Sequence, residues 1–155
     1  MPGQIEARLK ELKIELPQPV PPRWSYVPSV RTGDLLFISG QICHWQGENR
    51  FTGKLGGDIA LDQGKEAARL CGLNILAQAK AALDGDLDRV KRCVKLVAFV
   101  SSMPGFTDQP LVANACSELI GEVFGEAGKH ARSAVGVAAL PGNVAVEIEA
   151  IFEVR

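Results

Sequence analysis

Metal ligands are scarce in this chain and poorly spaced. It carries two histidines, His44 and His130, and four cysteines, Cys43, Cys71, Cys93 and Cys116, with no C-x-x-C pair and no histidine at a zinc-like distance from one. A structural zinc site or a dithiol redox motif is therefore not expected. Scattered cysteines of this kind read as buried, reduced thiols that pack as small apolar residues. A basic excess is also missing: Lys plus Arg number 17 against 18 for Asp plus Glu, a formal net charge of −1. Proteins that hold nucleic acid through its phosphates usually carry a clear positive balance, so a nucleic-acid partner is not expected. No apolar run approaches the ~18 residues needed to cross a bilayer. The charged N-terminus, residues 1–15, lacks the apolar block of a secretory signal. A cytoplasmic protein that neither spans nor contacts a membrane is the expectation.

What is present describes one ordinary globular domain. The apolar fraction is 46% and the charged fraction 23% over 155 residues, enough for a single core. Residues 1–23 read as an arm, with a charged stretch able to form a helix and then four prolines between positions 17 and 22 that stop regular structure. The arm is expected to pack on the body or on a neighbour. The body, residues 24–155, opens with strands over 26–30 and 35–39 that turn at Thr32-Gly33. Residues 40–57 are rich in Gly and Asn and read as a loop with room for a short strand.

The strongest helical signal covers residues 62–83. Ala68, Cys71, Gly72, Ile75, Leu76, Ala79 and Leu83 recur at three- and four-residue steps, with Asp62 as a candidate N-cap and Gly85 just past the end. Residues 90–100 form a β-rich run, with Val94, Leu96, Ala98 and Val100 on one face and Val97 and Phe99 on the other. A second helix follows Asp108-Gln109-Pro110, its stripe marked by Val112, Cys116, Leu119, Ile120, Val123 and Phe124. Residues 132–138 and 144–154 read as a closing hairpin through Leu140-Pro141-Gly142-Asn143. The order is ββ-α-β-α-ββ: an α+β domain with a mixed sheet and two helices on one face. The opposite face stays apolar and uncovered, which predicts a homo-oligomer.

Two segments could carry chemistry. Ser39-Gly40-Gln41-Ile42 ends a strand, and Gly there lets backbone approach a ligand closely. Arg132 opens a strand within Ala131-Arg132-Ser133-Ala134-Val135, where a fixed guanidinium can grip a carboxylate through two parallel hydrogen bonds. Glu147 and Glu149 share one face of the last strand, and one of them is free to pair with Arg132 or to hold a water.

These same segments carry a resemblance. The run from Tyr26 to Ile42, ending in Ser-Gly-Gln-Ile, and the pattern Ala-Arg-Ser-x-Val, Leu-Pro, Val-x-Val-Glu-Ile-Glu-Ala are similar to the signatures of the reactive-intermediate deaminase (Rid, or YjgF-type) family, once labelled L-PSP endoribonucleases. The resemblance spans residues 24–155. It implies a chorismate-mutase-like homotrimer with clefts between subunits. In those clefts Arg132 would bind a substrate carboxylate and Glu147 would position a water. Tyr26, Ser39, Gly40 and Ala134 would shape the pocket, joined by Asn114 after a one-residue shift. The implied activity is hydrolysis of enamine and imine intermediates to 2-keto acids and ammonia, with no metal or organic cofactor. A regulatory trimer that binds a small carboxylate or imino-acid ligand is the alternative; an endoribonuclease or translation inhibitor ranks below both, given the charge balance and few aromatics. One departure matters: many active members carry cysteine where this chain has Ala134, which suggests a divergent subfamily.

Overall fold

The computed structural model describes residues 3–155; Met1 and Pro2, the tip of the expected arm, lie outside the described residues. Ten regular elements follow along the chain: α1 (Gln4–Glu11), β1 (Ser29–Thr32), β2 (Leu35–Ile42), β3 (His44–Trp45), β4 (Glu48–Asn49), α2 (Leu61–Ala82), β5 (Val90–Ser101), α3 (Gln109–Phe124), β6 (Ala131–Val137) and β7 (Val146–Val154). Five strands make one mixed sheet in the order β1-β2-β7-β5-β6, in which β5 and β6 run parallel and the other neighbours antiparallel.

The two long helices cover one face, as their stripes predict. α2 lies over β2 and β7, and α3 lies over β5 and β6 while packing along α2. Small residues allow this closeness. A Cβ at Gly72 would come within 2.8 Å of Leu119 and 3.1 Å of the Cys116 sulfur. Beneath the helices the core is continuous: Leu36, Ile38, Leu96, Ala98, Val100, Ile148, Ala150 and Phe152 rise from the sheet to meet Ile75, Leu76, Cys116, Leu119 and Ile120. Along β7 the alternation is strict, with Val146, Ile148, Ala150, Phe152 and Val154 buried and Glu149 exposed. All four cysteines are buried free thiols, as expected. Burial pushes each of them up, Cys93 and Cys116 to about 12. Among the described residues no helix is long and apolar enough to cross a membrane.

Several local expectations give way. The closing hairpin does not exist: β6 and β7 are not neighbours, because β5 lies between them, parallel to the first and antiparallel to the second. The connection through Leu140-Pro141-Gly142-Asn143 is long enough to step over a strand about 5 Å wide, and a good turn sequence does not say how far its ends separate. Val94 does not face the core, because a bulge leaves it unpaired while Cys93 takes the buried position opposite Phe152. The first strand begins at Ser29, and the second continues to Ile42 rather than ending at Ser39. α2 is capped by Ala60, not Asp62; the Gln63 side chain reaches back to accept from the Ala60 N–H at 2.9 Å. Of residues 40–57, read as a loop with room for a short strand, the first three belong to β2 and the next ones form not one short strand but the β3–β4 hairpin.

The arm seats on its own body and adds a third helix. Leu9 is buried and Ile5, Ile14 and Leu16 pack against the core. The Asp88 carboxylate accepts from the Gln4 and Ile5 N–H groups, both at 2.8 Å, and so caps the start of α1. Gln78 donates to the Val20 carbonyl at 3.0 Å, which fastens the proline-rich stretch to α2.

Candidate functional site

Arg132 is the second residue of β6, an edge strand that is paired on one side only. Its register partner on β5 is Leu96, a core residue, so the Arg132 side chain rises on the helix-covered face. There the guanidinium meets the face of α3. Nη1 donates to Asn114 Oδ1 at 2.8 Å and to Ser117 Oγ at 3.1 Å, and Nη2 donates to the Pro110 carbonyl at 3.4 Å. A guanidinium has five N–H groups; the Nε–H and one Nη2–H therefore have no partner among the described residues. Ala134, two residues on, shares the strand face of Arg132 and is half-buried. Asn114, expected only as a residue lining the pocket, thus meets Arg132 directly, through its neutral amide oxygen.

A feature that sequence reading missed lies beside it. His130 precedes Arg132 by two residues and shares its side of the chain. Its Nδ1 stands 2.6 Å from the Gly128 carbonyl, and its Nε2 stands 2.9 Å from Ser117 Oγ. A carbonyl only accepts, so Nδ1 carries the proton and the Ser117 hydroxyl donates to Nε2 when the ring is neutral. Ser117, Gly121, Gly128, Lys129, His130 and Arg132 line a shallow, open depression of about 320 Å³. The spacing of Asn114 and Ser117 at i and i+3, and of His130 and Arg132 at i and i+2, was the available signal.

The other predicted residues gather elsewhere. Between Ile38 and Gln41 the β2–β7 register slips, so Ser39 and Gly40 form a bulge. Ser39 Oγ donates to the Val27 carbonyl at 2.7 Å, and its N–H donates to the Pro28 carbonyl at 2.9 Å, which pins the segment bearing the exposed Tyr26. Gly40 needs to be glycine for space rather than for backbone angle. A Cβ there would collide with the Glu147 carboxylate, which lies directly over it. Glu147 projects from the open face of the sheet, on the same side as Phe99, its register partner on β5. It is half-buried. Burial raises its carboxyl above the ordinary range, with the Glu149 charge adding to the effect. Glu149 is exposed.

The predicted residues therefore form two groups within one protomer. Arg132, Asn114 and Ala134 lie under the helices at the β6 edge; Tyr26, Ser39, Gly40 and Glu147 lie at the bulge and the open face. Arg132 and Glu147 point to opposite faces of the sheet, so the expected option of a direct pairing between Arg132 and Glu147 or Glu149 within one protomer does not occur. The open face also carries Val30, Phe37, Val97, Phe99, Val135 and Ile151, three of them well exposed.

Residues 6–153 match the family described as "YjgF/chorismate mutase-like, putative endoribonuclease". The chain is 48% identical to Protein TCP17 of Trypanosoma cruzi over 99% of this chain and 96% of that protein. It superposes on the crystal structure of Atu1372 from Agrobacterium tumefaciens, a protein of unknown function, with a TM-score of 0.91 and 49% identity, covering 97% of this chain and 92% of the other. It is also 30% identical to a 2-iminobutanoate/2-iminopropanoate deaminase of Dermatophagoides farinae over 90% of this chain and 91% of that protein. With both signature segments lying where the fold presents polar groups, and with the match spanning nearly its whole length, the chain belongs to the YjgF/Rid family.

Proposed function

We propose that this protein hydrolyses small imino acids to 2-keto acids and ammonia, in clefts formed where copies of the chain meet as a trimer in the cytoplasm. The observation that carries this reading is Arg132: a guanidinium tethered at an edge strand, with Nε–H and an Nη2–H unengaged among the described residues. That pair of donors matches the two oxygens of a carboxylate. A relative of similar length named for 2-iminobutanoate and 2-iminopropanoate deamination supports the substrate class.

The two groups of residues need a second copy to meet, since each protomer carries them on opposite faces. The exposed apolar residues of the open face favour such an assembly, because a face of this kind is usually covered. In the cleft, Arg132 of one copy holds the carboxylate of the imino acid. Glu147 holds a water and takes its proton as the oxygen attacks the C=N carbon. Glu147 returns that proton to the nitrogen, giving an amino alcohol. The adduct's hydroxyl then passes its own proton, by way of Glu147, to the amine, the C–N bond breaks as the C=O forms, and ammonia leaves with both protons. Half-burial brings the Glu147 carboxyl nearer to neutrality, which improves it as a proton acceptor. Fixing carboxylate and water together makes the attack effectively intramolecular. Ala134 supplies no thiol, so this chemistry runs without one. The near-balanced charge disfavours an RNA substrate, whatever the family's older label.

The test is competitive trapping. An amino-acid oxidase generates imines from alanine or 2-aminobutyrate, and semicarbazide captures those that survive. The protein is expected to deplete the trapped product, and Arg132→Ala to abolish the effect by on the order of 10³-fold, the loss of two charge-assisted hydrogen bonds. Unchanged trapping with every imine, beside clear binding of a 2-keto acid, would establish a carboxylate-binding protein without turnover.

A further inference from the structure

We infer that Ser117 and His130 are positioning residues that lock the Arg132 guanidinium so that its Nε–H/Nη2–H side is the one presented to a ligand; this rests on the reading of Arg132 as a carboxylate holder.

The hydrogen bonds run in one direction. The Gly128 carbonyl, 2.6 Å from Nδ1, accepts and so fixes the proton of His130 on that nitrogen. In the neutral ring Nε2 is then an acceptor, and the Ser117 O–H donates to it across 2.9 Å. With its proton committed to His130, Ser117 Oγ turns lone pairs toward Arg132 Nη1, 3.1 Å away. Asn114 Oδ1 takes the other Nη1–H at 2.8 Å. Both Nη1 protons are thereby spoken for by groups that can only accept in this arrangement. An end-on approach of a carboxylate through Nη1 and Nη2 would break at least one of these bonds. The side-on approach through Nε and Nη2 breaks none of them.

Without His130 the Ser117 hydroxyl is a free rotor. Its proton is then free to point toward Arg132, which would cost Nη1 that acceptor. The geometry favours positioning over a separate role for the serine, since each polar atom of Ser117 and His130 already has a partner within the protomer. The backbone adds rigidity: a Cβ at Gly128 would come within 2.5 Å of the Ile120 carbonyl oxygen, so the residue that orients His130 is itself wedged against α3.

The experiment has two readouts on the full chain. One is nitrogen-exchange NMR of rotation about the Arg132 Nε–Cζ bond, without ligand. The other is calorimetric affinity for pyruvate and for its neutral amide, pyruvamide. Ser117→Ala and His130→Phe are expected to speed the rotation and to lower the preference for pyruvate over pyruvamide roughly tenfold, the effect of one hydrogen bond to a charged group. Ser117→Thr, which keeps the hydroxyl, is expected to restore both. Rotation unchanged in both variants overturns the inference, as does an equal loss of affinity for both compounds, which marks general damage. If rotation accelerates but neither the wild type nor Arg132→Ala prefers pyruvate, positioning stands and the carboxylate reading of Arg132 fails.

Discussion

At the β6 edge, Arg132 is surrounded by acceptors from α3, and its geometry is complete inside one protomer. At the β2 bulge, Glu147 is placed by absence: no side chain stands at Gly40, and the carboxylate occupies the space. One charge is held by bonds and the other by a gap. The difference follows from chemistry. A cation that must keep one orientation gains from fixed acceptors, whereas a carboxylate that must exchange protons is better left half-desolvated with few donors, which would pull its affinity for the proton down. The first arrangement loosens when a partner is lost, and the second fails when its space is filled.

Gly40→Ala is the sharpest way to break that contrast. The new methyl group would displace the Glu147 carboxylate, and turnover in the trapping assay is expected to fall by roughly 100-fold, the scale of a lost general base. Stability should change by about 1 kcal/mol or less, because the group that must move is the end of a flexible side chain. A variant as active as the parent would show that Glu147 does not need its seat over the bulge. Gly72→Ala serves as the matched control, because its clash with Leu119 and Cys116 lies between α2 and α3, away from both groups. It should cost about 1–3 kcal/mol in denaturant unfolding and leave the catalytic rate of the folded fraction as it was. The smallest effect concerns protons. Burial raises the Glu147 carboxyl in the fold, so the folded state binds that proton more tightly than the unfolded chain does. Its contribution is favourable below the unfolded value, about 4.3, and is lost as pH rises through the folded value. Glu147→Gln should therefore gain stability relative to the parent as pH climbs from acid toward neutral. Parallel stability curves would mean that Glu147 is not desolvated.

Much of this architecture is legible in the chain because burial repeats. The stripes of α2 and α3 and the alternation of β7 follow from period alone. Where the period slips, the reading slips with it: extra residues at Lys91 and again at Val94 each reverse the parity of β5, and no propensity announces either bulge. The false hairpin has a different cause. Sequence neighbours usually pair, and nothing in Leu140-Pro141-Gly142-Asn143 reveals that β5 already occupies the place beside β6. The candidate residues came through their motif, which is local in the chain. Ser117 and His130 escaped because periodicity sorts inside from outside and is silent on which hydroxyl meets which imidazole across two elements.

The sealed cysteines turn the molecule into its own gauge of opening. Cys43, Cys71, Cys93 and Cys116 all lie in the core with thiols that resist ionisation, and a thiol that cannot ionise does not react with disulfide dyes. Colour development with such a dye would thus count excursions out of the native state, four sulfurs for each full unravelling, and a damaged variant would betray itself before any assay of its chemistry is run.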